Sequence, residues 1–121
     1  MLFHFELQFP TNAKLHFGTL DLVYTKHAKR ACRTDRYGTI DPPKQLNTDD
    51  AKVIEAEIVR TSDNTLQTKK VLYRVPYKGT NDLCIVLIPE TKTVKTVWLN
   101  EVSDVHTTLK TDRYNTPNDL T

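Results

Sequence analysis

Six consecutive residues, Leu83-Cys84-Ile85-Val86-Leu87-Ile88, form an apolar run. Successive side chains of a strand point to opposite faces, so such a run fits a sheet that is covered on both sides. It is far too short to cross a membrane, and the chain holds no apolar stretch of the roughly 18 residues that would. A central strand is therefore predicted, and its neighbours read the same way. Val71, Tyr73, Val75 and Tyr77 line one face of a preceding strand, and Thr93 to Leu99 returns after the turn Pro89-Glu90-Thr91-Lys92.

The remaining elements are weaker. Phe3, Phe5, Leu7 and Phe9 alternate with His4, Glu6 and Gln8, which predicts a half-buried N-terminal strand stopped by Pro10. Val53 to Arg60 reads as a strand with Val53 and Ile58 on opposite phases, and residues 50–57 also suit a short helix. A helix is predicted from about Tyr24 to Arg36, with Thr25 as its cap and Gly38 to end it. Its apolar stripe is Tyr24, Ala28, Ala31 and Cys32, small enough to lie close to a sheet. A chain of 121 residues fits one domain. The expected fold is α+β: an N-terminal strand and a basic helix packed on an antiparallel sheet of about four strands. Residues 1–114 would form the domain and 115–121 a short polar tail.

Net charge says little until position is considered. Seventeen Lys and Arg against fifteen Asp and Glu leave only +2. Yet residues 26–36 hold five cations, Lys26, Lys29, Arg30, Arg33 and Arg36, against the single acid Asp35, a local +4. Such a helix edge suits phosphate, and its plain alternative is a solvated helix face. His27 lies within this run. His106 lies in the polar segment after the last strand, followed by Thr108 and Lys110. Two histidines with ordinary pKa values near 6.5 can divide proton removal and proton donation between them. The other histidines, His4 and His16, make no ligand pair with these, and no zinc spacing, glycine-rich phosphate loop or serine nucleophile elbow is present. No metal and no cofactor is expected. Trp98, Tyr73 and Tyr77 are either base-stacking groups or core residues. The N-terminus lacks a signal-peptide pattern, and Cys32 and Cys84 are expected to be reduced core residues, which together suggest a cytoplasmic location and no membrane partner.

Two stretches carry a resemblance. Lys26-His27-Ala28-Lys29-Arg30 resembles the His-Ala…Arg helix of small toxin-like domains. Val94-Lys95-Thr96-Val97-Trp98-Leu99-Asn100, followed by Asp104-Val105-His106-Thr107-Thr108-Leu109, resembles their closing strand and His/Thr segment. The chain thus looks like a divergent member of the small bacterial and phage RNase-toxin superfamily, which groups barnase-like, colicin-like and RelE-like domains. The resemblance spans about residues 20 to 114 and implies metal-independent RNA cleavage. His27 or His106 would remove the ribose 2′-hydroxyl proton while the other protonates the leaving 5′-oxygen. Arg30, Arg33 and Lys110 would stabilise the phosphorane-like state, and Thr108 would orient phosphate oxygens. It also implies an RNA substrate, a host protein or neutralising partner, and the host cytoplasm for a phage-encoded chain. Two other classes fit the same residues. One is a small phage or mobile-element protein that inhibits a host enzyme, and the other a nucleic-acid-binding module without chemistry.

Overall fold

The fold was obtained as a computed structural model that describes residues 1–104. Its elements are β1 (Leu2–His4), β2 (Thr19–Asp21), β3 (Val23–Tyr24), α1 (Lys26–Thr34), β4 (Gln45–Asn47), β5 (Lys52–Arg60), β6 (Leu66–Lys78), β7 (Asn81–Ile88) and β8 (Thr93–Glu101). Six strands form one sheet in the order β1-β5-β6-β7-β8-β3, and β2 and β4 pair as a separate ribbon. All pairings are antiparallel except β3 with β8, so the main sheet is mixed. The fold is α+β with one helix on a sheet, as the sequence suggests. The sheet is larger than the expected four antiparallel strands because three-residue and two-residue strands extend it at β1 and β3.

The predicted central strand is central. β7 lies between β6 and β8, and Leu83, Ile85 and Leu87 on one face are buried in the main core. Cross-strand partners share a face. Tyr73, Ile85 and Val97 form one row of that core, and Val71, Leu87 and Val94 the next. Val71, Tyr73, Val75 and Tyr77 all join it, as their alternation predicts. The Tyr73 hydroxyl, inside this core, donates to the Leu15 carbonyl at 2.7 Å and ties the 11–18 segment across the sheet. Thr48 fixes the same segment: its buried Oγ1 accepts from the Phe17 N–H at 2.7 Å and donates to the Gly18 carbonyl at 2.8 Å. Gly18 turns there with φ of +68°, a conformation that favours glycine.

The opposite face carries a smaller cluster. Ile54, Leu72 and Cys84 are buried there, with Phe5, Val86 and Trp98 partly buried against them. Phe5 reaches this face because β1 ends at His4, and Phe5–Leu7 forms a 3-10 turn instead of continuing the strand. The expected strand across Phe3 to Phe9 is therefore corrected: Phe3 enters the main core while Phe5 packs on the other side. The helical alternative for residues 50–57 gives way to strand β5 from Lys52, preceded by a 3-10 turn at Thr48–Asp50.

Both cysteines are buried and free, in agreement with the sequence reading. The Cys84 thiol, enclosed at the centre of the sheet, is pushed up to about 12 by burial.

Candidate nucleic-acid interface

α1 begins where β3 ends. The Thr25 backbone N–H donates to the Val94 carbonyl at 3.2 Å, while its Oγ1 accepts from the Ala28 N–H at 3.0 Å and caps the helix. The same hydroxyl lies 3.3 Å from the Lys95 carbonyl, so the cap also ties the helix start to β8. Ala28 and Cys32 are buried against the sheet. The helix stops at Asp35, whose backbone turns to φ −65° and ψ 142°, and not at Gly38 as the sequence suggests. The Asp35 carboxylate holds this end: Oδ1 accepts from the Leu99 N–H at 3.1 Å and Oδ2 from the Tyr37 N–H at 3.0 Å. The Ile40 N–H then donates to the Cys32 carbonyl at 2.7 Å and returns the chain to the core.

With one face buried, the cations have one place to go. At about 100° per residue, Lys26, Lys29, Arg30 and Arg33 share an arc of about 100° opposite Ala28 and Cys32. All four are exposed. Arg36 lies just past the helix, its guanidinium 4.8 Å from the Tyr37 ring centre. None of these five side chains forms an ion pair among the described residues. Asp35, the acid within the run, is occupied by two backbone donors. The result is a cationic ridge about 10 Å long from Lys26 to Arg33 at 1.5 Å per residue, without an ion-pair partner among the described residues.

The structure adds two cations that sequence proximity does not suggest. The Val23 N–H donates to the Lys92 carbonyl at 2.9 Å, which sets Lys92 beside the start of α1, as the Thr25 contact sets Lys95. Both lysines are exposed. They stand more than 60 positions along the chain from Lys26, and no periodicity connects them.

His27 is exposed in the first turn of α1, and Arg30 follows it one turn on. His106, Thr108 and Lys110 lie outside the described residues. The described part of the expected catalytic group is thus His27 and Arg30 on the helix. Of the other histidines, His16 meets the Thr48 carbonyl through Nδ1 at 3.0 Å, and His4 is buried at the start of the 3-10 turn. Among the described residues no group of three or more His, Cys, Asp or Glu could hold a metal ion. No helix among them is long and apolar enough to cross a membrane. Comparison with family models, with curated proteins and with solved structures returned no match.

A helix N-terminus favours acids, yet α1 has none in its first turn and carries Lys26 there. Lys26→Glu would complement the helix dipole and set a Glu four residues before Arg30. Urea unfolding is expected to show the variant more stable by about 1 kcal/mol. Unchanged or lower stability would mean that Lys26 is held by a favourable interaction of its own.

Proposed function

We propose that this protein binds RNA through the cationic ridge of α1, continued by Lys92 and Lys95. The observation that carries this reading is the lack of compensation: four exposed cations on one arc, without an ion pair among the described residues, beside an acid already bonded to the backbone. Phosphates are the natural counter-charges, and each one neutralised releases condensed cations and steepens the salt dependence.

The reaction that the sequence resemblance implies rests on the same ridge. His27 would act with His106 on the ribose 2′-hydroxyl and the leaving 5′-oxygen, with Arg30 and Arg33 against the phosphorane charge and no metal required. Products would be a 2′,3′-cyclic phosphate and a 5′-hydroxyl.

One set of reactions tests both levels. Labelled single-stranded RNA is titrated with full-length protein in EDTA at several salt concentrations, and the RNA is then resolved for length and end groups. About four or five phosphate contacts predict a slope of log K against log salt near −3 for a single strand. Arg30→Glu with Arg33→Glu should weaken binding about 100-fold or more at low salt, whereas Lys69→Glu on β6 should not. Binding that ignores salt and the Arg30/Arg33 reversals would overturn the ridge. Cleavage products that vanish in His27→Ala, with binding kept, support the catalytic reading. RNA recovered intact, or cut equally by His27→Ala, removes that role and leaves a binding protein.

A further inference from the structure

One aromatic ring stands open to solvent at the end of α1. Among the described residues Tyr37 is the only Phe, Tyr or Trp that is exposed, at 39%. It packs in neither apolar cluster. Tyr73 and Tyr77 belong to the main core, and Trp98 lies on the face of the sheet away from α1. The fold holds Tyr37 in place. Asp35 is fixed to β8 through the Leu99 N–H, and its other carboxylate oxygen accepts from the Tyr37 N–H at 3.0 Å. The Gly38 N–H closes the turn on the Asp35 carbonyl at 3.1 Å, and the Ile40 N–H brings the chain back to the Cys32 carbonyl. Arg36 joins this ring to the ridge. Its guanidinium lies 4.8 Å from the Tyr37 ring centre, within the reach of a cation–π contact. Arg36 follows Arg33, the last cation of the ridge, by three residues, about 11 Å of backbone at full extension. The row of cations therefore ends, one step on, in a guanidinium set over an exposed aromatic ring.

We propose that the Arg36–Tyr37 pair is a base-stacking platform at the C-terminal end of the α1 ridge, and that the ligand of the ridge is single-stranded RNA whose backbone follows the cations while one base packs on this pair. This rests on the RNA-binding reading. A base stacks on an aromatic ring or on the plane of a guanidinium, and here both are offered together. The turn bonded to Asp35 orders the pair before any ligand arrives, which lowers the cost of binding. Every base has a π-face, so the platform is indifferent to sequence. It is not indifferent to strandedness, because a base can reach the pair only if it is free to leave its neighbours. Phosphate contacts alone would accept a duplex equally well.

The test compares a short labelled single-stranded oligoribonucleotide, the same backbone without bases, and the duplex, each bound to full-length protein and read by anisotropy. Wild type should bind the base-bearing strand more tightly than the abasic one. Tyr37→Ala should weaken binding of the base-bearing strand at least about fivefold. It should leave the abasic strand and the duplex unchanged, and keep the salt slope, because no charge is lost. Tyr37→Trp should retain the affinity, which separates stacking from damage to the turn. Equal binding of the base-bearing strand by wild type and Tyr37→Ala, with Arg30→Glu plus Arg33→Glu still defective, would remove the platform and leave the ridge. So would an equal loss on the base-bearing and abasic strands, which would show that the ring only positions Arg36. Absence of binding in wild type, or binding that ignores the Arg30/Arg33 reversals, would instead remove the ridge reading itself.

Discussion

Arg74→Ala is expected to lower unfolding free energy by about 3 kcal/mol, the largest effect of any single substitution considered for this domain. Arg74 sits on β6 and is 7% exposed, so its charge is almost fully withdrawn from water. Its Nε donates to Asp82 Oδ2 at 2.8 Å, its Nη2 to the Glu101 carbonyl at 2.8 Å, and its Nη1 to the Asp104 carbonyl. One guanidinium thus joins β6, β7 and the end of β8. Asn100 supports the same junction, its Nδ2 lying 3.3 Å from the Asp104 carbonyl. Alanine would leave the Asp82 carboxylate, only 18% exposed, without its cation, the Glu101 carbonyl without this donor, and the Asp104 carbonyl with Asn100 alone. Lysine should recover little, because one ammonium on a flexible stem does not reproduce three donors in a planar fork. Asp82→Asn keeps an acceptor for Nε and should cost less than Arg74→Ala. Urea midpoints of the three variants check the order. A loss below about 1 kcal/mol for Arg74→Ala would show that water satisfies this site.

Alkaline pH is expected to unfold the protein steeply, with stability full below about pH 9 and falling as pH rises toward 12. Burial pushes the Cys84 thiol up to about 12, and it pushes the Tyr73 and Tyr24 hydroxyls above the ordinary tyrosine range. In the unfolded chain these groups lose their protons near the ordinary values, 9.0 for Cys and 10.0 for Tyr. Between those values and the raised ones, the folded chain holds more protons than the unfolded chain. Stability must therefore fall as pH rises. For Cys84 alone, moving ionisation from an ordinary 9.0 to about 12 amounts to roughly 4 kcal/mol by pH 12. The check is urea unfolding at stepped pH for wild type and Cys84→Ala. The substitution costs stability at neutral pH through the cavity it leaves, and it should flatten the slope between pH 9 and 12. An equal slope in both proteins would show that the thiol ionises without unfolding.

The strands at the centre of the sheet were legible because their patterns are unbroken. The apolar run of β7 and the alternation from Val71 to Tyr77 each map directly onto position and face. β5 was harder for a definite reason. Val53 and Ile58 stand on opposite phases of an ideal strand, yet both pack on the main core. The irregularity between Val53 and Glu55 places one extra residue in β5 and brings them to one side, whereas the one between Glu57 and Ile58 places its extra residue in β6. The N-terminus misled in the opposite sense. Its alternation is regular through Phe9, but the chain leaves the sheet at His4. The β2–β4 ribbon was not legible at all: each strand contributes one buried residue, Leu20 or Leu46, and three residues hold no period.

The site divides along similar lines. Ridge residues on α1 are visible in sequence because a helix converts spacing into an arc. Lys92 and Lys95 are not, because they join that arc only through backbone bonds of Val23 and Thr25 to β8. Trp98 could be named as an aromatic candidate, but its face depends on the pairing of β8 with β7. The acid Asp35 counted in sequence as one charge against five. In the fold its carboxylate accepts from two backbone N–H groups and forms no ion pair with the cations.

α1 also closes the open flank of β8. β3 pairs with that strand only at Thr93 and Val94, and beyond them Thr25 takes the Lys95 carbonyl and Asp35 takes the Leu99 N–H. A strand edge left bare invites other chains to add to it. The element that would grip RNA is thus also the stopper on the sheet's most extended flank, and any event that peels the helix away frees a template for self-association. The cations give a safeguard against that outcome: two molecules opened in this way would each present a strongly positive arm at the exposed flank, and would repel one another until salt or a polyanion screened them.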